Sequence, residues 1–249
     1  MSLVRLTYYV LWLSPALLLG IAVVRMLLSK LHREFPIFFA YAVFQAARTA
    51  VQFVVYHQDF PLYFYTYWAG EALSVALGFG VLHEIFTHLF RPYEALQELA
   101  RLLFRWAAAI LILVAVVSAA STPAADSSRL IAGILVLERS VRVVQCGLLF
   151  MLFLFSSYFG LTWRHLVFGI AFGFGLYASV ELSALAARAY LGAIGNQTYS
   201  LVTSGAYNIA VLIWVTYLYS PQPARRAVQA VPGSNVERWN QALLQLLER

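Results

Sequence analysis

Seven times in this chain of 249 residues the sequence runs apolar for about 20 positions, and that recurrence decides most of what it can fold into. A helix rises 1.5 Å per residue, so each run is long enough to cross the roughly 30 Å hydrocarbon core of a bilayer. The runs lie near Leu3–Leu28, Pro36–Tyr56, Leu62–Phe86, Phe104–Ala120, Leu130–Phe155, Leu166–Tyr190 and Tyr199–Tyr219. Lipid offers no hydrogen bonds to the backbone, so a spanning segment of this length satisfies its own amides as a helix. Charged residues make up 11% of the chain, against about a quarter in soluble domains. The predicted fold class is all-α: a polytopic membrane protein, a bundle of seven transmembrane helices.

The connectors are short, which makes sequential helices antiparallel neighbours in one bundle over residues 1–220. Residues 87–103 carry charges on one side and leucines on the other, and are expected to form an interfacial helix leading into span four. Residues 221–249 form a polar tail with a short amphipathic stretch at Val236–Leu247. Leu3–Leu28 is too long for a signal-peptide core and lacks a small-residue cleavage site, so it is kept as the first span. Arg25, Lys30, Arg33, Arg91, Arg101, Arg105, Arg164, Arg225 and Arg226 fall on one side of the seven spans, and only Arg5, Arg129 and Arg188 on the other. The positive-inside rule then places the N-terminus outside and the C-terminus in the cytoplasm. The net charge of +6 is accounted for in this way, and nucleic acid is not an expected partner.

Against this apolar background the buried charges stand out. Span five, Leu130–Phe155, carries Glu138, Arg139 and Arg142 in its first half. An ionised group near the bilayer centre costs about 2.5–3.5 kcal/mol on insertion scales, so each needs a partner. Glu138 and Arg142 share a helix face, with Arg139 about 100° round from Glu138. The answering groups are Arg48 in span two, Glu71 in span three and Glu181 in span six. Tyr41, Gln45, Arg48 and Gln52 form one polar stripe on span two. Counted from the outer ends, the charges lie roughly 12–20 Å deep at 1.5 Å per residue, in a single layer. Arg48, Glu71, Glu138, Arg139, Arg142 and Glu181 are therefore the candidate ligand-binding residues, with Gln45, Trp68, Tyr177, Tyr207 and Asn208 as further wall positions and Gln145 beside them. Paired arginines suit an anionic group. The competing account is structural, with opposite charges serving only to staple helices that have no hydrophobic drive to associate in lipid.

Small residues at four-residue spacing, Gly70, Ser74 and Gly78 on span three and Gly169 and Gly173 on span six, predict close backbone packing, with a homo-oligomer face as the lesser alternative. Other signals fail on their spacing. His83 and His88 are five apart rather than the four that a helical zinc pair needs. The only lysine is Lys30, so no retinal Schiff base can form in span seven. The aspartates, Asp59 and Asp126, lie in outer loops, away from any serine–histidine set. No motif asks for a metal or a cofactor, and no enzyme activity is expected. Spans one to three and five to seven run the same way, which permits a 3+1+3 repeat of the SWEET transporter kind. Pro15, Pro36, Pro61 and Pro92 are placed near span ends, unlike the midplane prolines of those transporters.

The runs Glu34–Gln45 (EFPIFFAYAVFQ), Tyr63–Ser74 (YFYTYWAGEALS) and His83–Glu94 (HEIFTHLFRPYE) resemble those of an uncharacterised group of bacterial seven-span proteins. That resemblance implies a bacterial inner membrane and carries no mechanism. From the residues, the leading expectation is a sensor or receptor-like module that binds a small polar ligand, anionic or zwitterionic, from the extracytoplasmic side. It would pass the signal by helix shifts to its basic cytoplasmic face, or to a cytoplasmic or membrane protein partner, since the tail carries no kinase or cyclase. A small-solute or proton-coupled transporter and a structural subunit are the alternatives. Membrane lipid is the remaining expected partner.

Overall fold

The computed structural model describes residues 3–56, 60–91, 93–121, 136, 139–147, 150, 166–191, 196–220, 238, 240, 241 and 245. Six long helices account for most of them: α1 (Leu3–Leu28), α2 (Pro36–Tyr56), α3 (Phe60–Leu89), α4 (Glu94–Ser121), α5 (Leu166–Leu191) and α6 (Asn196–Tyr219). Residues 139–147 are also helical, and no strand occurs among the described residues. Five helices are long and apolar enough to cross a membrane, over Tyr9–Leu28, Pro36–Val55, Leu62–Leu89, Leu166–Ala187 and Thr198–Tyr219. Most of the fifth sequence-predicted span, Glu138 included, lies outside the described residues.

Local chemistry explains the boundaries. α1 ends where Lys30 enters the left-handed region at φ 59°, and a short 3-10 turn at Leu31–Arg33 leads into α2. Pro36 opens α2 at the first helical position, where its missing N–H costs nothing. The next two amides of α2 are capped from outside: Ile37 and Phe38 both donate to the Glu84 carboxylate of α3, at 2.8 Å each. A buried carboxylate at a helix N-terminus satisfies two orphan donors and meets the positive end of the dipole.

The helix expected at 87–103 has other bounds: residues 87–89 complete α3, and Glu94 starts one helix that leads unbroken to Ser121. No glycine or proline interrupts that stretch, so the charged turns and the apolar turns remain one rod. The tail is also tied down at one point. Asn240, almost fully buried, accepts the Ala95 N–H at 3.0 Å and so caps the first turn of α4.

α1, α2, α3, α5 and α6 close into a ring, each touching its two neighbours, and α4 rests on the outside of α3. At the end of the ring that holds Leu28, Pro36 and Tyr219, the interior is solid. Leu19, Met26, Phe38, Leu82, Ile85, Phe168, Phe174 and Trp214 pack there. Trp214 is 1% exposed, with its ring centroid 4.8 Å from Phe174, 5.4 Å from Phe38 and 6.0 Å from Tyr41. Its indole donates to the Ile170 carbonyl at 3.2 Å. The glycines of α5 admit this packing: a Cβ on Gly173 would sit 2.2 Å from Trp214 Nε1, and one on Gly169 2.2 Å from Tyr217 Cγ. The small-residue ridge of span six is thus filled from within the bundle by α6.

Candidate functional site

Above the Trp214 layer the ring opens into a polar cavity of about 200 Å³. α2 supplies its longest wall. Tyr41, Gln45, Arg48 and Gln52, spaced at helical intervals, all line it together with Thr49. Across from them stand Glu71 and Ser74 of α3, Arg142, Tyr177 of α5, and Thr203, Ser204 and Tyr207 of α6. Leu11, Trp12 and Pro15 of α1 complete the wall. Arg48 lies about eight residues from the Tyr56 end of α2, Glu71 about eleven from the start of α3 and Glu181 about ten from the end of α5, or roughly 12–17 Å along each helix.

The charges divide into two specific pairs. Arg48 Nη2 donates to Glu71 Oε2 at 2.5 Å, linking α2 to α3. Arg142 Nε lies 2.7 Å from Glu181 Oε2, linking the 139–147 segment to α5. All four side chains are 12–14% exposed, so both pairs are largely removed from solvent. Each guanidinium also faces a ring: Arg142 is 4.7 Å from the Tyr177 centroid and Arg48 5.7 Å from that of Tyr67. Gly70 makes room for Arg48, since a Cβ there would come within 3.0 Å of Arg48 Nε.

Around these pairs runs a neutral polar network. The Gln45 amide donates to the Ser74 hydroxyl at 2.8 Å and to the Tyr41 hydroxyl at 3.1 Å, which ties α2 to α3 just below the Arg48–Glu71 pair. Gln145, fully buried, accepts from Arg142 Nη1 at 3.5 Å. Two buried side-chain nitrogens of residues that line the cavity, Arg48 Nε and Gln52 Nε2, have no hydrogen-bond partner among the described residues.

The structure separates the candidate residues named from sequence. Arg48, Glu71, Arg142, Gln45, Tyr177 and Tyr207 line the cavity, and Glu181 holds Arg142 from behind. Arg139 is exposed rather than turned into the site, because it sits on another face of its helix. Trp68 packs on Phe64 and Tyr67 and is not part of the wall. Asn208 is a clamp instead: its amide nitrogen donates to the Leu11 carbonyl at 3.0 Å, and its oxygen accepts from Ser14 Oγ. That bond answers a local defect. Pro15 has no N–H to give to the carbonyl four residues earlier, which is Leu11, and a neighbouring helix re-satisfies it. Pro15 accordingly lies halfway along α1 and on the cavity, not near a span end.

Thr49, Thr203 and Ser204 were not singled out from the sequence, although Thr49 and Thr203 share faces with residues that were. Glu84, set aside with the His83–His88 stretch, is the cap of α2. Compared with protein-family models, with curated proteins and with solved structures, the chain matches none.

Proposed function

We propose that this chain is a seven-span membrane protein, N-terminus outside and C-terminus cytoplasmic. In this reading it is a receptor-like sensor for a small polar ligand, anionic or zwitterionic, that enters from the extracytoplasmic side. The observation that carries the proposal is the 200 Å³ cavity, walled by the Arg48–Glu71 pair, by Arg142 and by hydroxyls, and floored by the Tyr41–Phe174–Trp214 aromatic layer. A site with a polar mouth and an apolar floor favours holding a ligand over conducting one. The five helices that wall the cavity are the same five that pack together at the other end of the ring. A shift at Arg48 or Arg142 would therefore reach the arginine-rich face, and with it a cytoplasmic or membrane protein partner. The setting is a bacterial inner membrane, and the chain itself performs no catalysis.

A second reading, a small-solute or proton-coupled transporter, is favoured by one observation: Pro15 breaks the α1 ladder midway and borders the cavity. Purified protein in liposomes separates the two. A sensor should bind small amino acids or carboxylates from the outer side with no uptake above that of empty liposomes, whereas time-dependent accumulation of labelled solute would overturn the sensor reading.

A further inference from the structure

The cavity presents an unbalanced set of hydrogen-bonding groups within a balanced set of charges. Among the described residues each arginine at the site already has its glutamate, so the wall is neutral. Introducing a bare ion into such a site adds an uncompensated charge to a poorly solvated space, which is strongly unfavourable. Yet donors are left over. Arg48 uses only Nη2, on Glu71, and its Nε has no partner among the described residues. Four positions along the same face, Gln52 is 8% exposed and its amide nitrogen is likewise without a partner there. A buried donor left unbonded costs about 1–3 kcal/mol, and a ligand oxygen would recover it. Glu71 engages Arg48 through Oε2, while its Oε1 accepts no bond among the described residues.

We propose that the cavity takes a small zwitterion, its carboxylate on Arg48 and Gln52 and its cationic end on Glu71. This rests on the polar-ligand reading above and narrows it. The ligand would close an alternating ring of four charges with the Arg48–Glu71 pair, leaving the net charge of the site unchanged. Thr203 and Ser204 of α6 supply hydroxyls from the opposite wall. Size limits the ligand as well. An engineered cavity of about 150 Å³ takes benzene, so 200 Å³ suits a molecule of roughly six to nine non-hydrogen atoms.

The test is calorimetric titration of the full chain in detergent with three near-isosteric sets: glycine, β-alanine and γ-aminobutyrate; acetate, propionate and butyrate; and ethylamine, propylamine and butylamine. At least one amino acid should bind ten or more times tighter than the acid and the amine of matching length. Gln52→Leu removes the spare donor without unpairing a charge. It should weaken that binding at least tenfold while leaving the melting temperature of the unliganded protein equal to or above that of the parent. A carboxylate or an amine that binds as tightly as its zwitterion overturns the zwitterion assignment and leaves the polar-ligand site standing. Unchanged affinity in Gln52→Leu overturns the placement of the carboxylate. If no probe of any set binds, both the zwitterion and the polar-ligand reading fall.

Discussion

Pairing in the charged layer makes a prediction that a mere accumulation of charge does not. Arg48 faces Glu71 at 2.5 Å and Arg142 faces Glu181 at 2.7 Å, each side chain 12–14% exposed. Removing one member of a buried pair strands the other, at a cost of about 3–5 kcal/mol, whereas removing both is far milder. Arg142→Gln alone should therefore lose about 3–5 kcal/mol, a large share of the roughly 5–15 kcal/mol that holds a typical protein folded. Adding Glu181→Gln should recover most of that loss, and adding Glu71→Gln should recover none and deepen it. The mirror set holds for Arg48: rescue by Glu71→Gln, not by Glu181→Gln. Tryptophan fluorescence during thermal unfolding in detergent, backed by the monodisperse fraction on size exclusion, reads all six variants on one scale. Equal rescue by either carboxylate would refute specific pairing. A parent-like melt for both single arginine variants would refute burial of the pairs.

Gly173→Ala places a methyl 2.2 Å from Trp214 Nε1 and threatens the indole bond to Ile170, so overpacking plus one lost hydrogen bond should cost about 2–4 kcal/mol, seen as a lower melting temperature that Trp214→Phe partly restores. Glu84→Gln keeps the shape but can accept only one of the Ile37 and Phe38 amides at a time, and a loss of about 1–3 kcal/mol is expected in the same assay; a stable Glu84→Gln would mean that the cap contributes little. Asn208→Leu leaves the Leu11 carbonyl unanswered opposite Pro15, and hydrogen exchange at the middle of α1 should rise while exchange in α3 does not change.

Much of the site was legible because helix geometry is regular. Counting 1.5 Å per residue from each apolar boundary places Arg48, Glu71 and Glu181 at one depth, and the three- and four-residue spacing of Tyr41, Gln45, Arg48 and Gln52 assigns them one face. Partner choice was not legible, since it depends on how each helix is rotated and which neighbour it meets. Arg139 shows this: its depth matches the layer, but its face does not. Contacts between segments distant in sequence were also hidden. Glu84 as the cap of α2, Asn208 as the answer to Pro15 and Asn240 as the cap of α4 each join residues from 46 to 197 positions apart. The continuity of α4 was open to view, because nothing between Glu94 and Ser121 breaks a helix. The expected start at 87 missed the helix break that falls between Leu89 and Glu94.

The central claim is that Arg48, Glu71 and Arg142 wall a space reached from outside rather than a packed seam. In a Cys146→Ser background, Thr49→Cys and Thr203→Cys put thiols on the cavity wall, while Val51→Cys puts one on the exposed outer face of α2. A small, membrane-impermeant methanethiosulfonate applied to intact spheroplasts should label the first two and leave Val51→Cys unmodified, since thiolates do not form in lipid. Inert thiols at both Thr49 and Thr203 in folded protein would contradict an outward-facing cavity.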